Sequence, residues 1–313
     1  MHFSGGPVRA FMTAGVAPAW LWIVLTVLAT AGQTFRNLMQ RGLTRQLGTV
    51  GATHVRFLFG LPFGLLFFAL VAGTAGVPPM PGGAVLLWTT FGALAQIGAT
   101  ALMLAAMRER SFVVAIVYTK SEPLQVALFG LVILGDPVTA SLAGAIVLAT
   151  LGVLCLSWPP ASATGERYSW TAVIYGLGSG ALFAFAAVGF RGAIQSLAAP
   201  SFVVGATAVL ALSLTVQTAT LSLYLAVRDS AVLGAILRAW RPSMIAGLMG
   251  AFASQMWFLA FALESAARVR TLGLTEIFFS TLVSRSILKQ PLTGREAFGI
   301  ALVVGGVVLL LAR

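Results

Sequence analysis

The stretch Tyr118-Thr119-Lys120-Ser121-Glu122-Pro123 decides how the chain is read. It sets a lysine and a glutamate inside an apolar run from about Phe112 to Leu134, with Glu122 near its middle. That run is long enough to cross a bilayer. An ionised carboxylate at that depth costs about 3 kcal/mol on insertion scales, so it persists only against a protein interior or a water-filled cavity. Pro123 has no N–H to offer the carbonyl of Thr119, which leaves a free acceptor one turn below the glutamate and predicts a bend at Pro123. Helical spacing puts Tyr118, Glu122 and Gln125 on one face with Ser111 and Ala115 and turns Lys120 elsewhere. A polar stripe beside a broken backbone at membrane depth suits a transport site.

The rest of the composition agrees. Hydrophobic residues make up 59% of the 313 and charged residues only 9%, with a mean hydropathy of +0.98. Such a chain cannot cover its surface in water, so its main solvent is the lipid bilayer. The net charge is +11, but the arginines are scattered among short loops. That pattern argues against nucleic acid as a partner and for positive loops on one membrane face. The single cysteine, Cys155, reads as a small buried hydrophobe, and two histidines exclude a histidine-rich metal site. No cofactor is implied. The run up to Ala19 reads as a short tail.

Ten apolar stretches follow one another: Pro18–Met39, Val50–Ala72, Ala84–Met107, Phe112–Leu134, Val138–Ser157, Ser169–Ile194, Phe202–Val227, Pro242–Leu263, Val269–Leu288 and Thr293–Ala312. Each has room for the roughly 20 apolar residues of a spanning helix. The break at Trp158–Arg167, with Pro159, Pro160 and Gly165, reads as a linker between two halves, 1–157 and 169–313. The halves echo each other. Gly135-Asp136-Pro137-Val138-Thr139 precedes the fifth stretch, and Lys289-Gln290-Pro291-Leu292-Thr293 precedes the tenth. The same register sets Glu122 opposite Glu276. A one-residue slip sets Phe35-Arg36-Asn37-Leu38-Met39-Gln40 opposite Phe190-Arg191-Gly192-Ala193-Ile194-Gln195. Five spans is an odd number, so the second half enters the membrane in the opposite sense. The expected fold is therefore an all-α integral membrane protein of ten transmembrane helices in two inverted five-helix repeats.

The residues carrying these echoes resemble the EamA family of the drug/metabolite transporter superfamily. Arg56-Phe57 and Glu122-Pro123-Leu124 carry the likeness. So do Leu134-Gly135-Asp136-Pro137-Val138-Thr139 leading into Gly144 and Gly152, and Pro291-Leu292-Thr293 leading into Gly299 and Gly306. The likeness covers nearly the whole chain. It implies ten helices in two inverted repeats and termini in the cytoplasm. The family usually has a glutamate where Asp136 stands; the second copy has Gln290 there and no proline after Glu276. The small multidrug relatives use a glutamate in their first helix, where this chain has Gln33.

Glu122 leads the candidate site, with an ion pair to Arg56 or Lys120 as the structural alternative. Glu276 follows on the same argument. Arg56 could snorkel to the interface or bind a substrate carboxylate. Lys120 could pair with another helix or with Glu276. Gln96, Gln125 and Gln255 could line a cavity or join helices, and Gln33 reads as a helix-joining group. Tyr118 and Trp257 could stack on a substrate or simply pack. Arg36 and Arg191, near span ends, read as snorkelling. The run Gly176-Leu177-Gly178-Ser179-Gly180 could bend the sixth helix.

No catalytic cluster and no phosphate loop are present, so no enzyme is expected. The expected function is a secondary transporter in the cell membrane, a bacterial inner membrane, that exports a small metabolite such as an amino acid by alternating access. A proton is a possible coupling ion. The rivals are a multidrug exporter of the same fold, a membrane-embedded enzyme and a passive channel. Loop charges, with Arg36 counted on one side and Arg268 and Arg270 on the other, put both termini outside, against the family expectation. Oligomeric state is not encoded legibly.

Overall fold

The computed structural model describes residues 17–109, 119–157, 170–279 and 294–312. Tyr118, the 158–168 linker and the Lys289–Thr293 motif lie outside them. Among the described residues there are helices and no strand. In chain order they are α1 (Leu21–Leu58), α2 (Leu61–Ala75), α3 (Gly83–Glu109) and α4 (Glu122–Phe129), which runs into a π turn at Gly130–Leu134. Then come α5 (Ala140–Ser157), α6 (Trp170–Ser196), α7 (Phe202–Arg228), α8 (Ser230–Arg238) and α9 (Trp240–Leu263). Last are α10 (Ala266–Leu272), followed by a 3₁₀ turn at Gly273–Thr275, and α11 (Gly294–Leu311).

Among the described residues, five stretches are long and apolar enough to cross a membrane: Gly42–Ala75, Gly83–Ala106, Trp170–Ser196, Phe202–Arg228 and Trp240–Leu263. Shorter apolar helices cover Glu122–Leu134, Ala140–Cys155 and Ala297–Leu311. Large apolar side chains face outward, among them Leu65, Leu66 and Leu70 on α2 and Leu223 and Val227 on α7. Water would not tolerate that surface, but lipid does. The chain is a helical membrane protein.

The first two expected spans meet differently from the sequence reading. No loop separates Met39 from Val50; the backbone is helical on both sides of Gly48, which alone leaves helical geometry with φ 68°. The side chain of Gln40 donates to the carbonyl of Ala52 at 2.9 Å. In a straight helix those residues would stand about 18 Å apart, so the chain folds back at Gly48. Glycine is needed because the left-handed region is costly for any residue with a Cβ. The break expected around residues 228–241 also holds a helix, α8, with Ile236 buried.

The chain divides into two compact units, Met1–Leu94 with Gly189–Glu264, and Ala95–Val188 with Ser265–Arg313. In the first, α1 packs on α9 and α2 on α7. Small residues let the backbones meet: a methyl at Gly247 would collide with the backbone of Phe59, and one at Gly64 would lie 2.5 Å from Leu214. In the second, α5 packs along α11. Gly144 meets Leu309, Leu148 meets Gly305, and Gly152 meets Val303 and Gly299. Numbers rise along α5 as they fall along α11, so the two helices are antiparallel. The glycines of α6 also serve close approach rather than a bend: Gly178 faces Leu102, and Gly180 faces the turn at Thr119 and Ser121.

Candidate functional site

The second unit gathers the charged residues of the opening motif. Lys120 and Ser121 form the turn before α4, Glu122 is the first residue of that helix and Pro123 the second. Thr119 is helical, so the helical backbone is interrupted at Lys120–Ser121, just before Pro123. At the start of a helix proline costs nothing, because the first N–H groups have no intrahelical acceptor anyway. The first helical acceptor is the carbonyl of Ser121, reached by Gln125 N–H at 3.4 Å. Thr119 is buried, and its carbonyl faces Gly180 of α6. Stacking of Phe129 on Phe185, with ring centroids 4.1 Å apart, fixes α4 against α6.

Glu276 follows the 3₁₀ turn at Gly273–Thr275, where the helical repeat tightens. Leu274, just before it, packs with Ala149, Val153 and Val303, which ties this segment to α5 and α11. Both glutamates of the echoed pair therefore stand where a helix starts or changes pitch.

Each glutamate holds a cation from the other's segment. Lys120 Nζ lies 2.6 Å from Glu276 Oε2, with side-chain exposures of 13% and 5%. Arg270 Nε lies 3.1 Å from Glu122 Oε1, with exposures of 8% and 14%. The two pairs cross between Thr119–Phe129 and Ala266–Phe279. Of the partners considered for Glu122, neither Arg56 nor Lys120 is the one at this distance. Arg270 takes that place, although the sequence reading counted it as a loop charge. It belongs to α10, which begins at Ala266, and it is buried. The available signal was its position inside the expected Val269–Leu288 span. The neighbouring Arg268 is half-buried and donates to the carbonyl of Leu310 at 3.2 Å, capping the end of α11.

Other candidates fall elsewhere. Gln125 donates to Ser121 Oγ at 3.0 Å, within its own segment. Gln96 is buried on α3 in the second unit. Gln255 and Trp257 sit on α9 in the first unit. Gln255 donates to Thr207 Oγ1 at 2.8 Å, and Trp257 donates to Gln33 Oε1 at 3.1 Å. Both contacts join helices. Arg56 is buried in the first unit, with Nη2 3.5 Å from Ser254 Oγ. Snorkelling does not describe Arg36, which is 1% exposed and donates to Asn37 Oδ1 at 2.8 Å. Nor does it describe Arg191, whose guanidinium caps α9 through the carbonyls of Phe261 and Glu264. Among the described residues no group of histidine, cysteine or carboxylate side chains has the geometry of a metal site.

No family model matches the chain. No curated protein matches it. A solved crystal structure of a protein does, with a TM-score of 0.66 at 17% identity, over 94% of this chain and 96% of that one. A likeness at that identity is one of fold.

Proposed function

We propose that the chain is a secondary transporter that exports a small metabolite, such as an amino acid, across the cell membrane by alternating access. In this reading it has ten membrane helices in two inverted five-helix repeats of the EamA type. One observation carries the proposal: Glu122 and Glu276, opposite each other in the repeat register, each pair with a cation from the other's segment at an irregular point of a helix. Transporters place binding and coupling groups at discontinuous helices where repeats meet, because a helix change there can be exchanged between two arrangements. Crossed ion pairs suit such an exchange. They hold one arrangement closed, and a substrate or proton that competes for a carboxylate releases it. The antiparallel packing of α5 on α11 supports the inversion, since their leading motifs correspond in sequence while the helices run in opposite senses.

Liposomes containing purified protein test this reading. Amino-acid flux should saturate, respond to an imposed pH gradient and fall at least tenfold in Glu122→Gln. Protein-free rates for every amino acid together with saturable flux of a lipophilic cation would favour the multidrug reading. Flux that never saturates would point to a channel.

A further inference from the structure

We propose that one end of the first unit, built from the end of α7, α8 and the start of α9, binds anionic phospholipids of the surrounding bilayer through their headgroup phosphates. Among the described residues, four exposed arginines mark that end. Arg228 is the last residue of α7, Arg238 the last of α8 and Arg241 the second of α9. Arg45 lies three residues before the Gly48 turn of α1. That turn stands against α8: a methyl group at Gly51 would lie 2.9 Å from Val232 Cγ1 and 3.9 Å from Ile236 Cδ1. Of the eight acidic residues in the chain, only Asp229 and Glu264 belong to this unit. Asp229 sits between α7 and α8, whereas Glu264 follows the far end of α9, about 35 Å along that helix. Four guanidinium groups thus share this end with one carboxylate.

Aromatic residues set the depth. Tyr224 and Trp240 are 49% and 52% exposed, and the Arg241 guanidinium lies 5.6 Å from the centre of the Trp240 ring. Tyrosine and tryptophan collect at headgroup level, with the ring in apolar surroundings and the polar tip in water. The arginines beside them therefore stand where lipid phosphates stand. On α8, buried Ile236 ties the helix to the unit, while its neighbour Leu237 is 62% exposed next to Arg238. An exposed leucine beside an arginine suits a helix lying in the interface. The outer face of α7 adds a place for an acyl chain. A groove there is lined by Thr220, Leu223, Tyr224, Val227 and Arg228, and it rises about 12 Å along the helix to the guanidinium. A chain along the apolar part brings its phosphate to Arg228, which binds paired oxygens through two parallel N–H donors. A free phosphate would use the guanidinium and leave the groove empty, so a lipid is the occupant that fits both. A zwitterionic headgroup carries its own cation into the row of arginines, and an anionic one does not. The inference needs the chain to lie in a bilayer and is independent of the transporter reading.

Quenching of tryptophan fluorescence by brominated lipids tests this on the full-length protein in phosphatidylcholine bilayers. The difference between wild type and Trp240→Phe isolates the signal of Trp240, and Tyr224→Trp sets a second reporter in the α7 groove. Brominated phosphatidylglycerol should quench both reporters with an apparent binding constant about fivefold above that of brominated phosphatidylcholine. The triple variant Arg228→Gln/Arg238→Gln/Arg241→Gln should bring that ratio to unity. Arg295→Gln, at an exposed position of the second unit, should leave it unchanged. Salt at about 1 M should weaken the preference, because the charges are exposed. Equal quenching by the two lipids, a preference that survives the triple variant, or an equal loss in Arg295→Gln overturns the proposal. So does displacement of the lipid by inorganic phosphate at constant ionic strength, which would make a soluble anion the occupant. Should the triple variant not fold, the wild type decides: a preference that falls at about 1 M salt supports the site, and one that does not overturns it.

Discussion

Cutting one member of a crossed ion pair should cost far more than removing the pair. Lys120 Nζ and Glu276 Oε2 stand 2.6 Å apart, and their side chains are 13% and 5% exposed. Exposed pairs contribute under about 1 kcal/mol, whereas stripping one partner from a buried pair costs about 3–5 kcal/mol. Glu276→Gln leaves Lys120, the more exposed member, and should cost about 3 kcal/mol. Lys120→Met strands the more deeply buried carboxylate and should cost about 4 kcal/mol. The double variant Lys120→Met/Glu276→Gln strands neither charge and should lose only about 1 kcal/mol. The coupling in this cycle is then several kcal/mol, far above the few tenths expected of independent sites. Cys155 is a native probe, being the only cysteine and lying in α5 of the same unit. Its reaction with a thiol dye under graded denaturant reports opening of that unit, and 1.4 kcal/mol is tenfold in the opening constant. Single variants that lose less than tenfold, or a double variant that loses the product of the singles, would refute the argument.

Two further perturbations test the packing and the turn. Gly152→Ala places a methyl 2.7 Å from the carbonyl oxygen of Gly299 and the backbone N of Val303, which cannot step aside. It should cost about 1–3 kcal/mol by overpacking, as should Gly306→Ala, whose methyl would lie 2.8 Å from the Ala149 backbone N, both read by the same Cys155 assay. Gly48→Ala meets no neighbour within 4 Å, so its cost is backbone strain alone, about 1–3 kcal/mol at φ 68°. Gly42→Ala, equally unobstructed but helical, should instead stabilise by about 0.5 kcal/mol in thermal unfolding, and equal effects of the two would contradict the turn.

Membrane helicity was legible because hydropathy and the absence of lipid-compatible alternatives leave little choice. The Gly48 turn was not. Sequence patterning expects a polar loop between spans, and here the helix continues up to one glycine whose role is fixed by its φ. The polar network was legible only in part. Glu122, Glu276 and Lys120 stand out because charge in an apolar run is conspicuous. Their pairing depends on which segments lie side by side, which no local pattern encodes. Arg270 and Arg36 were misread for one reason: both lie close to a span boundary, where a long side chain can reach either water or a buried partner.

These corrections also bear on how charge sets membrane orientation. Arg36 and Arg270 are buried inside the units, so neither can act as a loop charge held at a membrane face. They had been counted on opposite sides, and withdrawing both removes one positive charge from each. Arg191 and Arg268 remain near helix ends, where they donate to the last carbonyls of α9 and α11. Such arginines satisfy orphan acceptors and still carry their charge at the end of an apolar helix. Of the arginines counted as loop charges on the other side, Arg45, Arg228, Arg238 and Arg241 also lie within helices.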